Sequence, residues 1–160
     1  MMKIKILSVG KIKEPFMREA IAEYSKRLSK YCTLEICEVD DEKTPDNAGE
    51  KANERIRAAE AERLKKLIPD DAYVVALAIG GREYTSVEFA DGIDRLGIDG
   101  VSQIVFIIGG SIGLSEEILE NADERMSFSR LTFPHQLMRV ILLEQIYRAF
   151  RIIKGEPYHK

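Results

Sequence analysis

The sequence predicts an α/β protein, a mainly parallel sheet with helices on both faces, and three observations carry that reading. Strand-like runs alternate with helix-period segments along the whole chain. Two runs, Tyr73–Ile79 and Gln103–Ile108, are continuously apolar, as strands buried on both faces are. Each ends in a glycine pair, Gly80-Gly81 and Gly109-Gly110, with a helix start downstream. At 160 residues and 45% apolar content the chain suits one domain with one sizeable core, residues 1–160. No repeat, low-complexity tract or dividing linker interrupts it.

Lys3–Val9 alternates apolar and polar residues and ends in Gly10, a strand. Pro15 opens a helix to about Lys30, with Phe16, Ala20, Ile21, Tyr24 and Leu28 at helical spacing. Thr33–Val39 is rich in β-branched and apolar residues, a second strand. The acidic, turn-rich stretch Asp40–Gly49 is a loop. Glu50–Leu67 is a charged helix whose inner face is expected along Ala52, Ile56, Ala59, Arg63 and Leu67, with Glu62 and Lys66 paired outside. After the run at Tyr73–Ile79, Thr85 and Glu88 form a capping box that starts a helix to about Leu96. Gln103–Ile108 is the next buried strand, and Ser115 caps a short helix to about Asn121. Met126–Phe133 fits either strand or loop. Pro134 opens a last helix to about Lys154, stopped by Gly155-Glu156-Pro157.

The apolar residues of that last helix wrap an arc of roughly 200°, against the roughly 100° that one covering sheet requires. The excess points to a second burial partner, most simply the same helix of another subunit across a two-fold axis, and a crowded core within the single chain is the alternative.

Composition narrows the function. No apolar run approaches the ~20 residues needed to span a bilayer, and the start is too short in apolar character for a signal peptide, so a cytoplasmic protein is expected. Two cysteines five residues apart and two histidines give neither a disulfide framework nor a metal site. Net charge is −3, yet residues 125–160 carry a net +5 and the remainder −8. Lys3, Lys5, Lys11 and Lys13 add cations at the other end. Such clustering gives an acidic protein a local phosphate-binding patch, though cations capping helix ends produce the same pattern. The first strand lacks a dinucleotide fingerprint and no G-x-S-x-G elbow exists, which argues against NAD enzymes and α/β-hydrolases.

Ligands of open α/β sheets sit beyond the carboxyl ends of the strands. Three segments qualify: Gly80-Gly81-Arg82, Gly109–Gly113, and the stretch after Met126. The glycines of the second permit close backbone approach to a ligand, and also suit a plain tight turn. His135 lies in the first turn of the last helix. Tyr158-His159-Lys160 forms an irregular tail, a place where chains fray, but one whose side chains can stack on a base, accept a proton and meet phosphate.

Five ordered motifs then form a pattern: Ile108-Gly109-Gly110 with Gly113-Leu114-Ser115, Leu131-Thr132-Phe133-Pro134-His135, Glu144-Gln145-Ile146-Tyr147-Arg148-Ala149, and Pro157-Tyr158-His159-Lys160. Together they closely resemble the ribosomal large-subunit methyltransferase H family, a minimal member of the SPOUT class of S-adenosylmethionine-dependent RNA methyltransferases. The resemblance runs from Lys3 to Lys160. It implies a carboxy-terminal trefoil knot and a homodimer with the cofactor, S-adenosylmethionine, at its interface. It also implies methyl transfer, without a metal, to N3 of a pseudouridine in 23S rRNA of assembled ribosomes. Carried over by position, Leu77, Gly109, Phe128, Ser129, Arg130, Leu131, Thr132 and Phe133 hold the cofactor. His159 is then expected to deprotonate or orient the base with Tyr158 beside it, while Arg139, Arg148 and Lys160 hold RNA phosphate. Two other readings stand beside this one: a non-catalytic ribosome-binding or assembly factor, and a SPOUT methyltransferase acting on another RNA such as tRNA.

Overall fold

The computed structural model describes residues 1–160. Five strands form one sheet in the order β2-β1-β4-β3-β5, every neighbouring pair parallel. They are β1 (Lys3–Val9), β2 (Thr33–Val39), β3 (Tyr73–Glu83), β4 (Gln103–Ile108) and β5 (Glu124–Ser127). The helices are α1 (Pro15–Leu28), α2 (Glu50–Lys65), α3 (Ser86–Ile98), α4 (Glu116–Asn121) and α5 (His135–Ile153).

Period-two alternation divides the strand residues between two cores. Ile4, Ile6, Ile104, Phe106 and Ile108 face α1, α3 and α5, where Leu28, Phe89, Ile93, Leu142 and Ile146 cover them. Leu7, Val9, Val105 and Ile107 face α2 and α4, under Ala61, Leu64 and Ile118. The capping box on α3 forms as expected: Thr85 Oγ1 accepts the Glu88 N–H at 3.1 Å, and Glu88 Oε1 accepts the Thr85 N–H at 2.8 Å. Such a cap contributes about 1 kcal/mol. Ser115 Oγ likewise accepts the Ile118 N–H at the start of α4.

Four local expectations are corrected. Strand β3 continues past Gly80-Gly81 to Glu83, because its register against β5 shifts: Leu77 and Arg82 both pair with Met126. Gly80, at φ +87°, turns the chain, and at Gly81 a Cβ would lie 2.8 Å from β5 backbone, so only glycine admits that approach. This end of β3 is not buried on both faces, since Ile79 is 65% exposed. On α2 the buried residues are Glu60, Ala61 and Leu64, a face rotated from the expected one. Polar Arg57 and Glu60 point their ends at partners inside rather than at water. Lys65, not Lys66, pairs with Glu62, and it also reaches Glu117 on α4.

Helix α5 lies between α1 and α3, so much of its wide apolar arc is covered within the chain. Leu137, Val140 and Ile141 stay half-buried. No helix is long and apolar enough to cross a membrane.

Candidate functional site

A cavity of about 800 Å³ opens beyond the carboxyl ends of β3, β4 and β5. Its walls are Leu77–Ile79, the turn from Ile108 to Leu114, and the segment Met126–Pro134, with His135 and Met138 of α5 closing one side. The lining is mostly apolar, with serine hydroxyls and backbone groups interspersed. That composition and volume suit a nucleoside-sized ligand, whose ring needs apolar walls and whose edge needs backbone hydrogen bonds.

The glycine turn is tightly folded. A Cβ at Gly109 would lie 2.7 Å from the carbonyl carbon of Gly113 and 2.9 Å from its oxygen. Gly113 sits at φ +81° and donates its N–H to Gly110 O at 3.1 Å. From α2, Arg57 Nη1 donates to Ile112 O at 3.3 Å and holds the turn from behind. The opposite wall is shaped by its own serines: Ser127 Oγ donates to Ser129 O at 2.9 Å, and Leu131 N–H donates to Ser129 Oγ at 3.0 Å.

Seven of the eight expected cofactor residues line this one cavity: Leu77, Gly109, Phe128, Ser129, Leu131, Thr132 and Phe133. Arg130 lies on the same segment but is exposed and outside the lining. Of the three loops expected at the strand ends, Gly80-Gly81-Arg82 is drawn into the β3–β5 pairing instead. Sequence reasoning missed Ala78, Ile79 and His135 as wall residues. The signal for the first two was the apolar run continuing past Leu77 toward a strand end.

Arg139 is not an RNA contact. It is 2% exposed, and its Nη1 donates to Glu38 Oε2 at 2.7 Å while Nη2 donates to Val9 O at 2.8 Å and Gly10 O at 2.9 Å. The guanidinium therefore ties the first turns of α5 to the ends of β1 and β2. Burial, reinforced by this cation, holds the pKa of His135 below the ordinary histidine value, so its imidazole is neutral at physiological pH.

The tail packs on the far end of α5 rather than fraying. Tyr158 meets Tyr147 edge-on at 4.8 Å between ring centroids, and the Arg148 guanidinium lies over the Tyr158 ring at 4.8 Å. Arg151 Nη2 donates to Pro157 O at 2.8 Å. Exposed His159 places Nδ1 3.1 Å from Arg148 Nη1. Arg148 also pairs with Glu144, and this hydrogen bond raises its pKa. Burial, with Glu144 adding to it, raises the pKa of Tyr158, which keeps its phenol protonated. Lys160 is exposed beyond them. Thus Arg148, Tyr158 and His159 form one cluster, separate from the cavity. From Met138 on the cavity wall to Arg148 is ten residues of helix, about 15 Å.

Comparison with known proteins follows the same lines. The chain is 57% identical over 159 residues to "Ribosomal RNA large subunit methyltransferase H" of Clostridium beijerinckii, covering 99% of this chain and 100% of that protein. It is 59% identical, with the same coverage, to the protein of that name from Bifidobacterium adolescentis. A solved structure, a probable methylase family protein from Haemophilus influenzae, superposes with a TM-score of 0.57 at 15% identity, covering 98% of this chain and 70% of that one, and so shares its fold. The family described as "Predicted SPOUT methyltransferase" matches residues 2–159, and with relatives this similar along the full length, the chain belongs to that SPOUT methyltransferase family.

Proposed function

We propose that this protein methylates N3 of a pseudouridine in 23S rRNA, with S-adenosylmethionine as donor and the assembled ribosome as substrate, working as a cytoplasmic homodimer. The carrying observation is the cavity at the strand ends, built from the segments that the family resemblance assigns to the cofactor. Full-length relatives bearing the name of a large-subunit rRNA methyltransferase support the choice of RNA.

When bound, the sulfonium supplies an electrophilic methyl group: the N3–carbon bond forms as the carbon–sulfur bond breaks, and that electron pair returns to sulfur. The chain's own residues have to hold the base in line and remove its N3 proton. His159 is the acceptor for that proton at Nδ1, the unprotonated nitrogen to which Arg148 Nη1 donates at 3.1 Å in the free protein and which Arg148 vacates as it turns to phosphate. Tyr158, protonated and flanked by Arg148, offers a face or a hydroxyl to the base. Arg148 and Lys160 supply cations for phosphate.

One protomer cannot bring these parts together, because the tail cluster and the cavity lie at opposite ends of α5. An antiparallel α5 from a second copy would bring its tail to this cavity. Leu131 and Ile79 on the cavity rim are 71% and 65% exposed, apolar surface that a partner would cover.

The test is methyl transfer by His159→Ala across a pH series. The base assignment predicts a large loss and an altered pH–rate profile, and full transfer with an unchanged profile rejects it. Mixing this variant with a cavity variant should restore activity if the two parts come from different subunits. No restoration in mixed dimers rejects the shared site.

A further inference from the structure

Four lysines stand near the start of the chain, and the fold separates them. Lys3 lies at the amino end of β1, and Lys5 is committed to Glu35 at 3.1 Å and to Leu67 O at 2.7 Å. Lys11 and Lys13 instead follow the carboxyl end of β1, the edge of the sheet at which the large cavity opens. Gly10 begins this stretch against the cavity wall, where His135 Nε2 lies 3.9 Å from the glycine's Cβ position. Both lysines share a polar cleft with Ser111 and His135, which also line the large cavity.

The stretch is held from inside. Ile12 is 5% exposed; its N–H donates to Glu38 Oε2 at 3.1 Å, and its carbonyl accepts Arg18 Nε at 2.9 Å. With Ile12 buried, Lys11 and Lys13 on either side of it are both exposed, and so is Arg18. None of these three cations pairs with a carboxylate. Asp41 lines the cleft with the lysines without pairing with them, and Glu14 is the one acid between Lys11 and Arg18. Phe16 follows in the first turn of α1 and is 64% exposed. That turn has no acidic residue and no side-chain cap, so the positive end of the helix dipole adds to the cations.

An exposed ring among unpaired cations is the composition that binds unpaired RNA: the cations follow the phosphates, and the ring stacks on a base whatever its identity. We propose that the corner from Lys11 to Arg18 is an RNA-docking site for nucleotides flanking the target base, with Phe16 stacked on an unpaired base and Lys11, Lys13 and Arg18 on phosphates. A second copy of this chain seated on Phe16 would have to desolvate the cations around it, which favours RNA as the occupant. The proposal rests on the rRNA-methyltransferase reading above. It adds to the tail a contact made by the protomer whose own cavity holds the methyl donor, so that RNA is gripped by both.

Methyl transfer to ribosomes lacking the modification, with ribosome concentration varied, tests it. Phe16→Ala should raise KM for ribosomes about fivefold or more, while kcat and S-adenosylhomocysteine affinity stay near the parent's. The double variant Lys11→Ser, Lys13→Ser should raise KM as well, and should lower the salt slope of ribosome binding by about 1.4, the share of two single-strand phosphates. All three positions are exposed, so melting temperatures should stay with the parent's. Unchanged KM and salt slope in both variants overturns the site and leaves the rRNA reading intact. A Phe16→Ala protein that falls from dimer to monomer in sedimentation also overturns it, because the ring is then a subunit contact. Failure of the unmutated protein to methylate ribosomes overturns the rRNA reading, and this site with it.

Discussion

Gly109→Ala places a methyl group 2.7 Å from the carbonyl carbon of Gly113, 2.9 Å from its oxygen and 3.0 Å from Leu114 N. All three neighbours are backbone, so no side chain can swing aside. Ordinary contacts begin near 3.5 Å, and the turn must open by several tenths of an ångström to reach them. Overpacking of this kind costs about 1–3 kcal/mol. The turn walls the cavity, so distortion there should also appear in ligand affinity, about 5- to 150-fold if the whole cost falls on binding. Titration calorimetry with S-adenosylhomocysteine, beside a melting curve, measures both effects. Gly113→Ala is the informative companion: nothing lies within 4 Å of its Cβ position, but φ is +81°. It should lose about 1–2 kcal/mol through backbone strain alone. Gly109→Ala with unchanged affinity and unchanged melting temperature would refute the close-approach argument.

Three other outcomes follow from side chains in the interior. Arg139→Ala strips a 2%-exposed guanidinium from Glu38 and two carbonyls; because Glu38 retains water contact, the loss should sit at about 3 kcal/mol, the low end for a broken buried pair. In a chain of this length that lowers the melting temperature by about 6–12 °C, read by calorimetry. Glu60 has a folded pKa raised by burial, so below the unfolded carboxyl pKa both states hold the proton, and stability is lost as pH climbs through the higher folded value. Glu60→Gln should therefore match the parent's melting temperature near pH 4 and exceed it near pH 8; an equal difference at both pH values contradicts this. Cys32 is 2% exposed with its thiol pushed up to about 11, whereas Cys37 is half-buried. Native alkylation followed by peptide mapping should label Cys37 first.

Strands that cross the core were legible because burial writes itself into local pattern. The bounds of β1, β2 and β4 follow the apolar runs. β5 was not, since Glu124-Arg125-Met126-Ser127 is a short edge strand that buries only Met126 and Ser127. The continuation of β3 depends on a register shift made possible by Gly81, a pairing fact that local sequence does not carry. The inner face of α2 misled because its buried side chains include Glu60, whose partner is the backbone N–H of Glu42, 18 residues earlier. The same limit explains Arg139. A basic residue in a basic segment looks like an RNA contact until its partners, Val9, Gly10 and Glu38, arrive from about a hundred residues or more away. The cavity segments were visible as glycine turns and loops after strands.

The most direct measurement is transfer of labelled methyl from S-adenosylmethionine to RNA, comparing assembled ribosomes lacking the modification, free 23S rRNA and tRNA. Incorporation into assembled ribosomes alone, mapped to N3 of one pseudouridine, is the predicted result. Incorporation into tRNA instead, or ribosome binding with no transfer to any RNA, would contradict it.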